Sequence, residues 1–202
     1  MEPILKGRLH LDEKYVKVNG KNCYDLNCID NKTKFVNAHL FVDERSYENC
    51  VRFLSQIKEN CYGQILARYY TRKYFDKSCK RIKFVCDGFE NYKKAFNKLF
   101  YRVAELQFGV PIACKKYKLK QNNNAIERYN GKIKDRLNAM RGEFKSFEKA
   151  AHFMNLQKIM HNFVNPHQQL QGKTPAEKAE IKLNLGRNKL LGLIEYIVQN
   201  LI

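Results

Sequence analysis

Leu9-His10-Leu11-Asp12-Glu13 is the most informative segment for the fold class, because apolar and polar residues alternate along it. This period of two predicts a half-buried β-strand whose Asp12 lies on the face opposite to Leu9 and Leu11. A second short apolar run, Phe84-Val85-Cys86, is followed by Asp87 and then by Gly88, which is typical of a strand end. Asp87 is therefore predicted at the carboxyl end of a buried strand, where open α/β sheets place their ligands.

A third acid, Glu127, falls in a stretch with helical periodicity, residues 123–140. One predicted helix face is apolar and contains Ile126, Tyr129, Ile133, Leu137 and Met140. At 100° per residue a second, polar face contains Asn124, Glu127, Gly131, Lys134 and Asn138. Glu127 and Lys134 are thus expected to point the same way, about two turns apart.

Three carboxylates carried by two strands and a helix suit hard divalent cations, because Mg²⁺ prefers oxygen ligands. Two such ions about 4 Å apart stabilise the attacking and the leaving oxygen of an in-line phosphodiester displacement. The predicted chemistry is therefore cleavage or transfer of a nucleic-acid strand.

With these residues the chain resembles the catalytic core of DDE transposases and retroviral-type integrases, and is most similar to that of bacterial and archaeal insertion-sequence transposases. The resemblance covers residues 9 to about 180 and depends on four segments in family order. They are Leu11-Asp12-Glu13-Lys14-Tyr15-Val16-Lys17-Val18, Asp87-Gly88-Phe89-Glu90-Asn91-Tyr92, Asn123-Asn124-Ala125-Ile126-Glu127-Arg128-Tyr129-Asn130 with Lys134, and Asn165-Pro166-His167 leading to Gly172-Lys173-Thr174-Pro175-Ala176-Glu177.

The resemblance implies an α/β fold of the ribonuclease H-like kind, a mixed β-sheet flanked by helices with a helical C-terminal extension. It also implies two Mg²⁺ or Mn²⁺ ions held by the catalytic residues Asp12, Asp87 and Glu127. The implied partner is DNA, both element ends and target, bound by a homo-oligomer. The DNA-binding residues would be Asn124, Arg128, Lys132, Lys134 and His167, of which His167 could equally serve in packing.

Two features depart from the family pattern. The interval from Asp87 to Glu127 is longer than is usual, and only eight residues precede Leu9. We therefore expect residues 1–165 to form the integrase-like core and residues 166–202 to form a helical extension of the same domain. We also expect the amino-terminal module that recognises DNA ends in relatives to be absent.

Local patterns predict the order of elements along the chain. Strands are expected near 8–18, 22–29 and 34–42, with turns at Asn19-Gly20 and Asp30-Asn31-Lys32, and a helix from about Ser46 to Asn60. The Asp87 strand, a helix near 90–100, a short strand within 102–113 and the Glu127 helix follow. Further helices are expected over 146–164, at Thr174-Pro175-Ala176-Glu177, which has the form of a capping box, and over 187–201.

The net charge of +18 favours a polyanionic partner such as DNA. An A/T-rich genome could also raise the lysine content without any function, but between Cys114 and Lys145 ten basic residues and three acids surround the Glu127 helix. A second basic cluster, residues 68–83, is interleaved with Tyr69, Tyr70, Tyr74 and Phe75. Such a mixture can contact phosphates and stack on bases, or it can be a solvated loop with core aromatics.

The seven cysteines contain no Cys-x-x-Cys pair, so their spacing does not favour a zinc site. Scattered cysteines of odd number indicate reduced thiols in a cytoplasm, and no leader or membrane span is evident. We expect a cytoplasmic, nucleoid-associated protein.

The remaining acids have ordinary explanations. Asp30 opens a turn, Asp43 precedes a helix, and Glu13 is expected on the other strand face from Asp12. Glu90 lies near Asp87 at a helix start, where an acid also complements the helix dipole.

These patterns favour a metal-dependent transposase of an insertion sequence. Two alternatives stay open, a catalytically inactive DNA-binding remnant of a transposase and a ribonuclease H-like structure-specific nuclease.

Overall fold

A computed structural model describes residues 2–110, 123–140 and 142–201 of the chain. The strands are β1 (Leu9–Val18), β2 (Lys21–Asp30), β3 (Val36–Val42), β4 (Lys83–Val85) and β5 (Glu105–Gln107). The helices are α1 (Tyr47–Tyr70), α2 (Glu90–Phe100), α3 (Asn124–Ala139), α4 (Phe147–Ile159), α5 (Pro175–Lys178) and α6 (Lys189–Leu201). Part of the basic segment around Glu127, including Cys114 and Arg141, lies outside the described residues.

The strands form one mixed sheet in the order β3-β2-β1-β4-β5. The first three form an antiparallel meander, whereas β4 pairs parallel with both β1 and β5. The turn between β1 and β2 lies at Asn19 and Gly20, with φ values of 52° and 78°. Both residues readily adopt this left-handed conformation, and two such residues in succession match the twist of a two-residue hairpin. The predicted hairpin is confirmed.

Helices cover both faces of the sheet because alternate residues of β1 point to opposite sides. Leu9 and Leu11 belong to a core shared with α1 and α2, in which Phe53 and Tyr92 are fully buried. Val16 belongs to a second core shared with α3 and α4. The mixed sheet flanked by helices confirms the predicted fold class.

Helix α1 is longer than its sequence pattern predicted. It begins where expected, with the Ser46 side chain accepting a hydrogen bond from the Asn49 backbone N–H. It continues past Asn60 because Cys61 and Ile65 extend its buried stripe, and a π-helical turn, Thr71–Phe75, follows it. The first part of the basic cluster at residues 68–83 is therefore helical.

The carboxyl-terminal elements match the predicted pattern closely. Thr174 and Glu177 make both hydrogen bonds of a capping box at the start of α5, with Pro175 in the first turn. In the part of the chain that the structure describes, no helix is both long and apolar enough to cross a membrane.

Candidate metal centre

Asp12 and Asp87 lie side by side because β1 and β4 run parallel. Leu9 pairs with Phe84 and His10 pairs with Val85, so Asp12 and Asp87 are each two residues beyond the same paired position. The Asp87 carboxylate is held by the backbone N–H of Phe89, 3.1 Å away. Two of the three predicted ligands therefore meet at the carboxyl end of β4.

Glu13 joins these two carboxylates. Ligand oxygens of Asp12, Glu13 and Asp87 all lie within 4.8 Å of one another. Glu13 does project to the other side of β1, where its carboxylate accepts hydrogen bonds from Arg45 and from the Tyr92 hydroxyl. The Glu13 side chain is nevertheless long enough for its carboxylate to reach the carboxyl end of β4, where Asp87 lies. Strand alternation alone does not predict this.

The electrostatics of this acidic cluster (Asp12, Glu13 and Asp87) favour a cation. Burial, followed by the nearby charge of Glu13, raises the pKa of Asp12 from 3.8 to about 7. Burial and then Asp87 also raise the pKa of Glu13, although Arg45 opposes this shift. A divalent ion would offset the repulsion that makes these carboxylates retain protons.

Glu127 lies on α3, between two residues that contact β1. Its helix neighbours on either side are fixed to β1, because Asn123 donates to the Leu11 carbonyl (3.3 Å) and Asn130 donates to Asp12 Oδ2 (2.9 Å). Glu127 lies four residues after the first and three before the second, so the same helix surface carries all three.

The Glu127 carboxylate is half-buried, and burial raises its pKa. Its Oε1 is buried and has no hydrogen-bond partner within the described ranges. Among those residues it is not part of the group whose oxygens lie within 4.8 Å of one another. The structure thus brings Asp12 and Asp87 together and places Glu127 on the neighbouring helix surface.

Asn123 and Asn130 are contacts that the sequence patterns missed. Asn130 is buried and lies four residues after Ile126, within the apolar stripe of α3. A polar side chain in an apolar stripe is the signal that could have identified it, because a buried amide needs a partner. Here the partner is the Asp12 carboxylate.

The predicted DNA-binding residues lie together along α3 and the loop before α5. Arg128, Lys132 and Lys134 are exposed. Asn124, Arg128 and His10 all line one cavity of about 330 Å³. Lys134 lies near Lys14, whose pKa is lowered by burial and then by that second lysine.

His167 packs near these cations. It lines a small cavity with Arg128 and Lys132. Burial, and then the charge of Lys132, lowers the pKa of His167. The Nδ1 atom of His167 is buried and has no hydrogen-bond partner among the residues that the structure describes. The ring is both packed against His161 and close to the basic surface.

The six described cysteines are free thiols, and within the described residues no cysteine belongs to a group that could hold a metal ion. Four of them, Cys28, Cys50, Cys61 and Cys86, are buried in the core beside α1 and α2. They act there as small apolar side chains.

Comparison with known proteins identifies the family. The family model DDE_Tnp_IS240, described as a DDE domain, matches residues 63–167, which is just over half of the chain. The matched part contains Asp87 and Glu127 and begins after Asp12. No curated protein matches the chain.

Solved structures show the same fold. The integrase catalytic core domain of HTLV-2, determined in complex with magnesium, superposes with a TM-score of 0.52 at 14% identity, covering 89% of this chain and 99% of that one. A chain in the simian T-cell lymphotropic virus intasome, in complex with PP2A regulatory subunit B56 gamma, gives a TM-score of 0.52 at 11% identity. That match covers 89% of this chain, which spans 56% of the intasome chain.

Proposed function

Because this chain belongs to the DDE domain family, we propose that it is a transposase that cleaves DNA and transfers strands in the transposition of an insertion sequence. One observation carries the proposal. The Asp12 and Asp87 carboxylates lie close together at the carboxyl end of β4, and Glu127 lies on the adjacent helix α3. Oxygen ligands contributed by two strands and a helix are the type of site that phosphoryl-transfer enzymes use.

Asp12, Asp87 and Glu127 would hold two Mg²⁺ or Mn²⁺ ions. The donor set fits, since all three side chains are carboxylates, the pKa values of Asp12 and Glu127 are raised, and Glu127 Oε1 is a buried oxygen without a partner in the described ranges. When bound, the ions would supply Lewis-acid stabilisation of the attacking and leaving oxygens.

The protein's own residues would position these groups. Asn130 orients Asp12 through its amide N–H, and the Phe89 backbone N–H orients Asp87. Asn124, Arg128, Lys132, Lys134 and His167 would hold the DNA backbone beside the carboxylates, because phosphate contacts fix register without reading sequence. We further propose that the chain acts as a homo-oligomer on DNA element ends and target, in a cytoplasmic, nucleoid-associated setting.

The test is a strand-joining assay with a pre-nicked DNA end, a target duplex and Mg²⁺. Wild type is compared with Asp12→Asn and with Asp135→Asn, a control that removes an exposed carboxylate of α3. We expect joined products from wild type and from the control, and none from Asp12→Asn. Joining by Asp12→Asn at the wild-type rate would refute the proposed site.

One observation favours a second candidate, a catalytically inactive DNA-binding remnant. Glu127 does not share the close oxygen group of Asp12, Glu13 and Asp87 in the described chain. This candidate predicts salt-dependent DNA binding without any turnover.

In the same assay, cleaved but unjoined products from wild type would instead indicate a structure-specific nuclease.

A further inference from the structure

A basic groove of about 670 Å³ lies at the end of the sheet opposite to the acidic cluster. Eight of its eleven lining residues are lysine or arginine, and Glu105 is the one lining carboxylate. The residues that the argument uses are Arg8, Lys32, Arg68, Arg72, Lys80 and Lys83. We call this feature the basic groove.

The parallel strands place the basic groove and the acidic cluster at opposite ends. Arg8 directly precedes β1 and Lys83 begins β4, whereas Asp12 and Asp87 lie further along in the same direction. Asp87 comes four positions after Lys83, which is about 13 Å at the rise of a β-strand. The groove shares Arg8 and Asn31 with the cavity that Asn124 and Arg128 line, so it extends that basic surface away from the carboxylates.

The groove is held in a fixed shape. The buried Asp30 carboxylate accepts backbone N–H groups of Lys6, Gly7 and Lys32, which ties the segment before β1 to the turn after β2. Gly7 packs so closely here that an added Cβ would lie 2.1 Å from Asn31 Oδ1. The backbone segments that carry Arg8 and Lys32 are thus fixed relative to each other.

Two arginines are oriented without losing their charge. Arg68 donates to the Leu5 carbonyl at 2.8 Å, and Arg72 donates to the carbonyls of Lys77 and Cys79 at 2.9 and 3.0 Å. Neutral carbonyls direct a guanidinium but do not neutralise it, so the remaining N–H groups stay available for an anion.

The groove's charge is largely uncompensated. Arg8, Lys32 and Lys80 are exposed and make no ion pair with any residue in the described part of the chain. Lys6 pairs with Glu180, and Glu105 pairs with both Arg81 and Lys83. Like charges held together repel one another, and a bound polyanion would offset this repulsion.

Three aromatic residues, Tyr70, Tyr74 and Phe75, lie close to Arg72 in the sequence. Tyr70 and Tyr74 are stacked with ring centroids 6.1 Å apart, and Phe75 is 87% exposed. Tyr74 and Phe75 share the π-helical turn with Arg72, but none of the three rings lines the groove. The groove is therefore suited to the phosphate backbone of a nucleic acid and not to its bases.

We propose that the basic groove binds the phosphate backbone of a DNA segment at a position separate from the acidic cluster. This inference takes DNA as the partner from the proposed function, but it does not depend on catalysis. Binding in the groove needs no divalent ion, because arginine and lysine neutralise the phosphates directly.

The test measures binding of a fluorescent random-sequence DNA duplex to the full chain by anisotropy, in EDTA, from 50 to 200 mM salt. The variant Lys32→Gln/Lys80→Gln removes two exposed groove cations. The matched control Lys17→Gln/Lys21→Gln removes two exposed cations next to the β1–β2 turn, outside the groove lining. Circular dichroism verifies that both variants are folded.

The DNA association constant K falls as salt rises. We expect the plot of log K against log salt to be less steep for the groove variant by about 2, since each phosphate contact contributes about 0.9 to the steepness. Wild type should then lose roughly tenfold more affinity than the groove variant across this salt range. The control should keep the wild-type slope. Equal slopes for the two variants would overturn the proposal, because general charge would then explain binding.

A second arm separates DNA from a small polyphosphate. Tripolyphosphate binding is measured by calorimetry on the same proteins. If the groove variant loses tripolyphosphate affinity while its DNA affinity and slope stay as in wild type, the occupant is a small anion and the proposal is wrong. Neither arm requires turnover, so a strand-joining failure would refute the proposed function and leave the groove testable.

Discussion

Replacing Asp12 with Asn should stabilise the metal-free chain at pH 8. Asp12 is half-buried beside Glu13 and Asp87, and its pKa is raised from 3.8 to about 7. The folded chain therefore binds more protons than the unfolded chain between these pH values, so stability falls as the pH rises through this window. A shift of this size corresponds to a destabilisation on the order of 4 kcal/mol above pH 7.

The expected gain for Asp12→Asn at pH 8 is about 2 to 4 kcal/mol, because the amide still carries part of the cost of burying a polar group. At pH 4 and below, where folded wild type keeps Asp12 protonated, the two proteins should differ by less than about 1 kcal/mol. Adding Mg²⁺ at ten times its dissociation constant should stabilise wild type by about 1.4 kcal/mol and the variant by much less.

The assay is urea unfolding followed by circular dichroism at pH 4, 6 and 8, in EDTA and again in Mg²⁺. Asp135→Asn, which removes an exposed carboxylate of α3, serves as the control and should behave as wild type. If Asp12→Asn is no more stable than wild type at pH 8 in EDTA, the unfavourable burial of this charge is refuted.

Three further variants test the site and the core. Asn130→Leu removes the amide donor to Asp12 and should lower Mg²⁺ affinity or joining activity about 10- to 100-fold with the fold intact; unchanged activity would refute its orienting role. Phe53→Ala truncates a fully buried ring and should cost about 3 to 5 kcal/mol in urea unfolding, and a loss below about 1 kcal/mol would contradict the packing. Burial lowers the pKa of His161 to about 4, so its contribution to stability, present above pH 6.5, is lost as the pH falls toward 4. Wild type should therefore lose about 3 kcal/mol more unfolding free energy than His161→Gln between pH 6.5 and 4. The same pH dependence of the unfolding free energy in both proteins would contradict this role of His161.

Local patterns in the sequence predicted the elements that depend on local chemistry. The Asn19-Gly20 turn, the apolar stripe of α3 and the capping box at α5 each follow from residues close in sequence. The positions of Asp12 and Asp87 could also be predicted, because each follows from where a strand lies or ends.

Features that depend on distant segments could not be predicted in this way. Glu13 joins the acidic cluster because its long side chain reaches from the far face of β1 to Asp87, which is 74 positions later in the chain. The basic groove forms because parallel pairing brings Arg8 next to the start of β4. The length of α1 depended on whether Cys61 and Ile65 would find a core to contact.

The most direct test of the metal site is titration calorimetry of Mg²⁺ and Mn²⁺ on wild type, Asp87→Asn and Glu127→Gln, with pre-nicked DNA present and Asp135→Asn as the control. Metal binding in wild type and in the control, lost or strongly weakened in both site variants, is the predicted result. Equal binding by all four proteins would contradict the assignment of Asp12, Asp87 and Glu127 as the ligands of a catalytic metal centre.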